Sequence, residues 1–265
     1  MTLWLIGAGP MARDYARVLE ALDVQFEVIG RGVDSASDFT REVGRRVRIG
    51  GLAHALRTAT APDKAIIATD VIGLASAATQ LLHAGVKHIL IEKPGGLNLS
   101  EIESLNELAE TLNALVFVGY NRRFYNSVRM ARDIINDDGG VLSAQFEFTE
   151  LSHKVATLPK SVDSKERWVI GNSSHVIDLV FDLVGRPNNW RCWHAGSLAW
   201  HPASARFAGA GITEKNVMFS YLADWEAPGR WGIELLTRTS RIILRPMEVL
   251  QVVPLGSFDA EIVKS

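Results

Sequence analysis

"TLWLIGAGPMA", residues 2–12, decides the fold. An apolar run enters a glycine turn and leaves it as a helical pattern, the strand–turn–helix context in which a dinucleotide fold places its phosphate turn. Gly7 permits the tight turn, Gly9 lets the backbone approach a pyrophosphate, and Ala12 stands where a third glycine would allow close helix packing. Past Pro10, from Met11 on, the helix amides point at the phosphates. The competing reading is an ordinary strand–helix turn.

Outward from that turn, the chain to about residue 118 alternates short apolar runs with helical patterns. Strands are expected at "TLWLIG" (2–7), "FEVIG" (26–30), "VRI" (47–49), "KAIIAT" (64–69), "KHILIE" (87–92) and "LVFVGY" (115–120). That rhythm predicts a doubly wound parallel Rossmann sheet. The clearest helix runs from Ile102 to Leu112, with Ser100 as cap and Glu103 closing a capping box.

Past Asn121 the pattern changes. "VLSAQFEFT" (141–149) alternates, with Leu142, Ala144, Phe146 and Phe148 on one face, as a half-buried strand does. Further strands are expected in 190–200, 216–225, 230–237 and 240–246. The fold class expected is α/β, with a dinucleotide-binding Rossmann domain at 1–121. An α+β domain on an open, largely antiparallel sheet is expected at 122–265, binding substrate and mediating oligomerisation.

Composition argues against several classes of function. The 265 residues carry 28 basic and 30 acidic side chains, for a net charge of −2, with no basic patch to serve as a footprint for nucleic acid or an anionic membrane. No apolar run is long enough to span a bilayer. The one cysteine, Cys192, reads as a small strand residue, and no set of residues has metal-ligand spacing. The N-terminus reads as a first strand rather than a leader, so a cytoplasmic location is expected.

The end of the second strand bears on cofactor choice. An NAD site places an acidic residue there, roughly 20 residues past the glycines, to bind the ribose 2′-hydroxyl. Here Gly30 is followed by Arg31, and the first carboxylate is Asp34. Arg31 could grip a 2′-phosphate bidentately, which favours NADP with NAD as the alternative. It could also be a solvated turn residue, with Asp34 folding back.

"LIEKPGG" (90–96) leaves the carboxyl end of the fifth strand, the edge where open α/β sheets bind ligands. Lys93 there could donate to a reacting oxygen, or stand as a solvated strand-end cation. Together, "GAGPMA", "AIIATDV", "EKPGG", "GYNRRF" (119–124) and "HVIDLVFDLVGRP" (175–187) resemble the glucose-fructose oxidoreductase, inositol dehydrogenase and MocA family. The resemblance reaches about Pro187. It implies hydride transfer between a nicotinamide nucleotide and a ring carbon of a sugar, nucleotide sugar or cyclitol, in a homo-oligomer built through the C-terminal sheet. It also implies Lys93 as the active-site lysine and Glu92 as its partner. By the same likeness Thr69 and Asp70 form the nucleotide-side loop, and His175 is the acid/base. The chain ends at "DAEIVKS", shorter than many relatives, so a C-terminal helix of the family is expected to be missing, by truncation or by nature.

One departure stands out. Family members commonly carry an aspartate four residues before the histidine, where this chain has Gly171 followed by Asn172. Asn172 can hydrogen-bond a substrate hydroxyl but cannot take a proton, so proton transfer falls to His175 or Lys93. With Asn172 as N-cap, His175 would sit in the first turn of a helix ending at Gly185, where the helix terminus keeps an imidazole neutral. Alternatively, Asn172 only caps and His175 is solvated. Asn121, Arg122 and Arg123 of "NRRF" are candidate substrate contacts, although domain-junction salt bridges would explain the arginines equally well. The missing aspartate keeps open a second function, a catalytically silent nucleotide-binding regulator on the same fold.

Overall fold

The computed structural model describes residues 2–264. The chain divides into two compact units, one up to Gly119 and one from Tyr120, against the expected junction at 121/122.

The first unit is built on β1 (Leu3–Ile6), β2 (Glu27–Ile29), β3 (Val47–Arg48), β4 (Lys64–Ile67), β5 (His88–Ile91) and β6 (Leu115–Val118). Between them run α1 (Pro10–Ala21), α2 (Val33–Val43), α3 (Gly51–Thr58), α4 (Leu74–His83) and α5 (Leu99–Thr111). The order is β3-β2-β1-β4-β5-β6 and every pairing is parallel. β1 shows why. Trp4 and Ile6 pack into one cluster with Leu74, Leu81 and Ile89, whereas Leu5 packs into another with Ala12, Ala16 and Phe39. A strand apolar on both faces needs helices on both faces, which right-handed crossovers supply.

The α5 cap sits two residues earlier than expected. Asn98 Oδ1 accepts from the Glu101 amide at 2.9 Å, and Glu101 Oε2 accepts from the Leu97 amide at 2.8 Å. The segment contains two overlapping patterns of a polar cap followed three residues later by Glu, and the helix nucleates on the earlier one.

The second unit carries α6 (Asn126–Asp137), β7 (Ser143–Glu147), α7 (Ser152–Thr157), α8 (Val162–Glu166), a π-turn at Val169–Ser173 and α9 (Ser174–Val184). Then follow β8 (Pro187–Ala195), β9 (Arg206–Thr213), β10 (Met218–Asp224), β11 (Gly232–Leu236), β12 (Ser240–Leu244), β13 (Leu250–Pro254) and β14 (Glu261–Val263). The sheet order is β14-β13-β12-β11-β7-β10-β9-β8, antiparallel except for the parallel β7–β10 pair. One face is covered: Ala144, Phe146, Phe219, Ile233, Leu235 and Ile242 pack with Val128 and Ala131 of α6 and with Val176, Leu179 and Val180 of α9.

Three strands escaped the sequence reading. β9 is "RFAGAGIT", poor in strand formers, and its glycines serve the sheet by leaving room. A Cβ on Gly209 would fall 2.5 Å from the Tyr221 ring, and one on Gly211 would fall 2.8 Å from the Phe219 ring. β14, of three residues, is the edge strand, and β13 lies next to it.

Trp225 anchors this core, 1% exposed, with Nε1 donating to the Phe148 carbonyl at 3.1 Å and its ring stacked on Trp200. Trp225→Ala is expected to destabilise the second unit by about 3–5 kcal/mol, and Trp225→Phe, which strands that carbonyl, by about 1–3 kcal/mol. Urea unfolding followed by circular dichroism measures both.

Candidate active site

In the first unit, sheet hydrogen bonds continue one residue past each strand and align the candidate residues along one edge. The Gly7 amide donates to Ile29 O at 2.8 Å, Ala68 to Ile6 O at 2.8 Å, Glu92 to Ile67 O at 2.9 Å, and Gly119 to Ile91 O at 2.8 Å. This is the carboxyl edge of the parallel sheet, and β1 between β2 and β4 is its switch point.

The glycine turn fits a pyrophosphate. Gly7 has φ +124°, and a Cβ there would meet the Ala68 carbonyl oxygen at 2.3 Å. An added Cβ on Gly9, by contrast, meets no heavy atom within 4 Å. No side chain caps α1, which opens on Pro10, so the amides of its first turn from Met11 on keep their donors for an anion. Ala12 is fully buried against the sheet, the close packing expected of that position.

Gly30 owes its size to packing, since its Cβ would fall 2.6 Å from Val47 Cγ1. Arg31 lies just beyond β2, exposed. Asp34 is the acidic residue of the first turn of α2, where the helix dipole favours a negative charge. After β4, Asp70 Oδ1 accepts from the Val71 amide at 2.6 Å and caps a short turn, and Thr69 Oγ1 lies 3.3 Å from the Asp70 carbonyl.

Glu92 is buried, and its Oε1 accepts from the Tyr15 hydroxyl of α1 at 2.6 Å. Gly119 makes room for the pair, because a Cβ there would lie 3.1 Å from Tyr15 Oη and 3.3 Å from Glu92 Oε1. Burial, then the hydrogen bond and charge of Glu92, push the Tyr15 hydroxyl well above the ordinary tyrosine range. Lys93, half-buried, follows directly, and the Gly95 amide closes the turn onto Glu92 O at 3.0 Å. Tyr15 escaped the sequence reading because it falls within the helical stripe of Ala12, Ala16 and Leu19 and looks like core.

In the second unit His175 is buried near the start of α9, its ring centroid 6.0 Å from Tyr120, edge-on, and 6.0 Å from Trp231. The capping expectation fails. Backbone at Trp168 and Ser173 is already helical, and α9 emerges from the π-turn with no side-chain cap. Asn172 lies inside that turn, so no helix terminus at Asn172 acts on His175. The Asn172 amide instead donates to Glu150, at 3.1 Å to Oε1 and 3.2 Å to Oε2.

Glu150 is the group sequence reasoning missed. It is buried and also accepts from Ser173 Oγ at 2.7 Å and Trp231 Nε1 at 3.2 Å. Burial raises its carboxyl above the usual range, while the Ser173, Asn172 and Trp231 hydrogen bonds pull it back. A signal was present: Glu150 continues the even-numbered, buried face of Ala144, Phe146 and Phe148, where a carboxylate is anomalous.

The arginines of "NRRF" are engaged within the unit. Arg123 pairs with Asp178 through two nitrogens and with Asp182 at 3.0 Å, while Arg122 reaches Glu248 at 3.2 Å and covers the Tyr125 ring at 4.8 Å. Both arginines are thus held by salt bridges inside the second unit, and not by the junction pairs expected, and Asn121 remains exposed. Among the described residues no cluster of His, Cys, Asp and Glu could hold a metal, and no helix is long and apolar enough to cross a membrane.

The family model GFO_IDH_MocA, described as an oxidoreductase family with an NAD-binding Rossmann fold, matches residues 1–120. The match spans the whole of the first unit. Glucose-6-phosphate 3-dehydrogenase of Bacillus subtilis is 27% identical over 189 residues, 68% of this chain and 52% of that protein. The chain thus spans about half the length of that relative. UDP-N-acetylglucosamine 3-dehydrogenase from Acidithiobacillus ferrooxidans superposes with a TM-score of 0.80 at 18% identity, covering 100% of this chain and 82% of that one. Levoglucosan dehydrogenase in complex with NADH and L-sorbose gives 0.83 at 18% identity, covering 100% and 80%. The two-unit fold is shared with these structures.

Two substitutions test the first unit. Gly7→Ala is expected to lower its stability by at least about 1–3 kcal/mol, through a forbidden φ and a clash with backbone, and to weaken binding of nicotinamide nucleotide; thermal unfolding and nucleotide fluorescence read the two effects. A tyrosine held above its ordinary pKa of 10.0 contributes stability that is full below that value and is lost as pH rises through the folded-state value. Tyr15→Phe is therefore expected to flatten the fall in stability between pH 9 and 11, leaving the slope due to Tyr120 and Tyr221, which burial also raises. Urea midpoints across that range measure the difference.

Proposed function

We propose that this protein is a nicotinamide-nucleotide-dependent oxidoreductase acting on a CH–OH group of a sugar, nucleotide sugar or cyclitol ring. The observation that carries the reading is the single sheet edge of the first unit, which lines up an uncapped glycine turn with a buried Glu92 and the adjacent Lys93. The relatives named above, dehydrogenases of sugars and a nucleotide sugar, support the substrate class.

The nicotinamide supplies the hydride donor or acceptor when bound. Gly9 and the α1 amides hold the pyrophosphate, and Thr69 and Asp70 shape the neighbouring loop. Arg31 stands where a ribose-binding acid would otherwise be and takes a 2′-phosphate, so NADP is preferred over NAD. Lys93 donates to the reacting oxygen and stabilises negative charge as it develops there. His175 accepts the hydroxyl proton in oxidation and returns it in reduction. Asn172 has committed its amide hydrogens to Glu150, leaving Oδ1 to accept from a substrate hydroxyl. In this reading the protein works in the cytoplasm as a homo-oligomer. The uncovered face and edge of the second sheet, with Trp193, Met218 and Leu222 exposed, support self-association. Gly171 favours the second reading, a regulator that binds nucleotide without turnover.

Screening sugars, sugar phosphates and nucleotide sugars for change in nicotinamide absorbance separates the two, since a regulator binds nucleotide and turns over none of them. With a substrate in hand, Lys93→Ala and His175→Ala are each expected to lower kcat by about 10²–10⁴-fold. Turnover surviving both would refute the mechanism. NADPH is expected to bind more tightly than NADH, and Arg31→Ala to weaken NADPH binding by about 10–100-fold with NADH little changed, from loss of a charge-assisted contact.

A further inference from the structure

We infer that Glu150 is the positioning residue of the His175 site: one buried carboxylate ties the π-turn that leads into α9 to the tryptophan that walls the imidazole. The inference rests on the reading of His175 as the proton relay.

The geometry is specific. Oε1 of Glu150 accepts from three donors, Asn172 Nδ2 at 3.1 Å, Ser173 Oγ at 2.7 Å and Trp231 Nε1 at 3.2 Å. Asn172 and Ser173 are the last two residues of the π-turn, and His175 follows two residues later. Trp231 precedes β11, in a different segment of the chain, with its ring 6.0 Å from that of His175 at 47°. The carboxylate therefore fixes both the backbone that presents His175 and one aromatic wall beside it.

A π-turn is rare and widens the helix at the expense of regular bonding, so it persists where side chains hold it, often at functional sites. Ser173 is fully buried and Glu150 is 7% exposed, so neither has solvent as an alternative partner. A carboxylate buried to this degree survives only because its donors replace water. The same donors would be stranded if it were removed, which makes the cluster cooperative.

The test is nuclear magnetic resonance of the full chain with labelled histidine, the His175 signal being assigned by comparison with His175→Gln. In the unaltered protein the His175 ring signal is expected to be single and displaced by the Trp231 and Tyr120 ring currents. Glu150→Gln puts an amide donor against the Asn172 amide and is expected to reduce that displacement or split the signal while the thermal transition stays cooperative. Ser173→Ala removes one donor without creating a large cavity and is expected to move the signal less, in the same direction. A folded Glu150→Gln protein whose His175 signal is unmoved overturns the inference. Should Glu150→Gln not fold, an unmoved signal in Ser173→Ala overturns it.

These spectra need no turnover, so they stand apart from the substrate screen, and failure of the screen with the unaltered protein counts against the proposed function alone. Where turnover is found, Glu150→Gln is expected to lower kcat on the order of 10–100-fold, as misplacement of a catalytic group does, with nucleotide affinity within about twofold. A rise in KM with kcat unchanged would assign Glu150 to substrate binding and overturn the positioning role.

Discussion

The contact on which the rest of the first unit depends is the approach of Gly7 to the Ala68 carbonyl. β1 and β4 are adjacent parallel strands, and Ala68 donates back to Ile6 at 2.8 Å just where β1 turns away into α1. With 2.3 Å between that carbonyl and a would-be Cβ, only glycine lets the chain leave the sheet at this point and this angle. The departure angle sets where α1 begins, and with it where its uncapped amides lie. It also determines which residues of α1 face the sheet, so that Tyr15, one turn beyond Ala12, reaches Glu92 at the end of β5. A steric constraint at one backbone atom is thereby transmitted along a rigid helix to the residue beside Lys93.

Each unit then solves the same problem, a carboxylate taken out of water. Glu92 has a tyrosine hydroxyl at 2.6 Å, and Glu150 has three side-chain donors gathered from two segments. Burying a carboxylate without partners costs several kcal/mol, so these donors are a condition of the fold and not an adornment of it. Their stabilising contribution is small in net terms, because desolvation and hydrogen bonding nearly offset one another. The larger consequence is definition, since a carboxylate with its donors in place has one low-energy arrangement and holds its neighbours to it.

What the sequence revealed follows from how far each signal reaches along the chain. The central strands of the first sheet were legible because burial on both faces demands continuous apolar runs, as in "LWLI" and "KAII". The glycine turn was legible because its constraint is local. β9 was hidden because its small residues make sense only against Tyr221 and Phe219 on the neighbouring strand. Glu150 was hidden because its partners lie 22 to 81 residues away, and Tyr15 because a hydroxyl at a core position reads as ring before it reads as donor. The reading of Asn172 erred for a related reason: Asn, Ser and Ser before an apolar stripe is the pattern of a cap, but the donors turned toward a distant carboxylate and the helix ran on through them.

That outcome changes the meaning of Gly171. Its φ is not among the positive values of the chain, and an added Cβ there meets no heavy atom within 4 Å. Neither backbone conformation nor crowding demands glycine at this position. A carboxylate is nonetheless present next to it, brought by the loop after β7 and bonded to Asn172 and Ser173. Placed there, it lies behind the turn in a dry setting, where it orders neighbours, whereas a carboxylate on residue 171 itself would project into open space, where it could exchange protons. The acid beside the histidine segment is thus a buried support of the turn and not a side chain of residue 171.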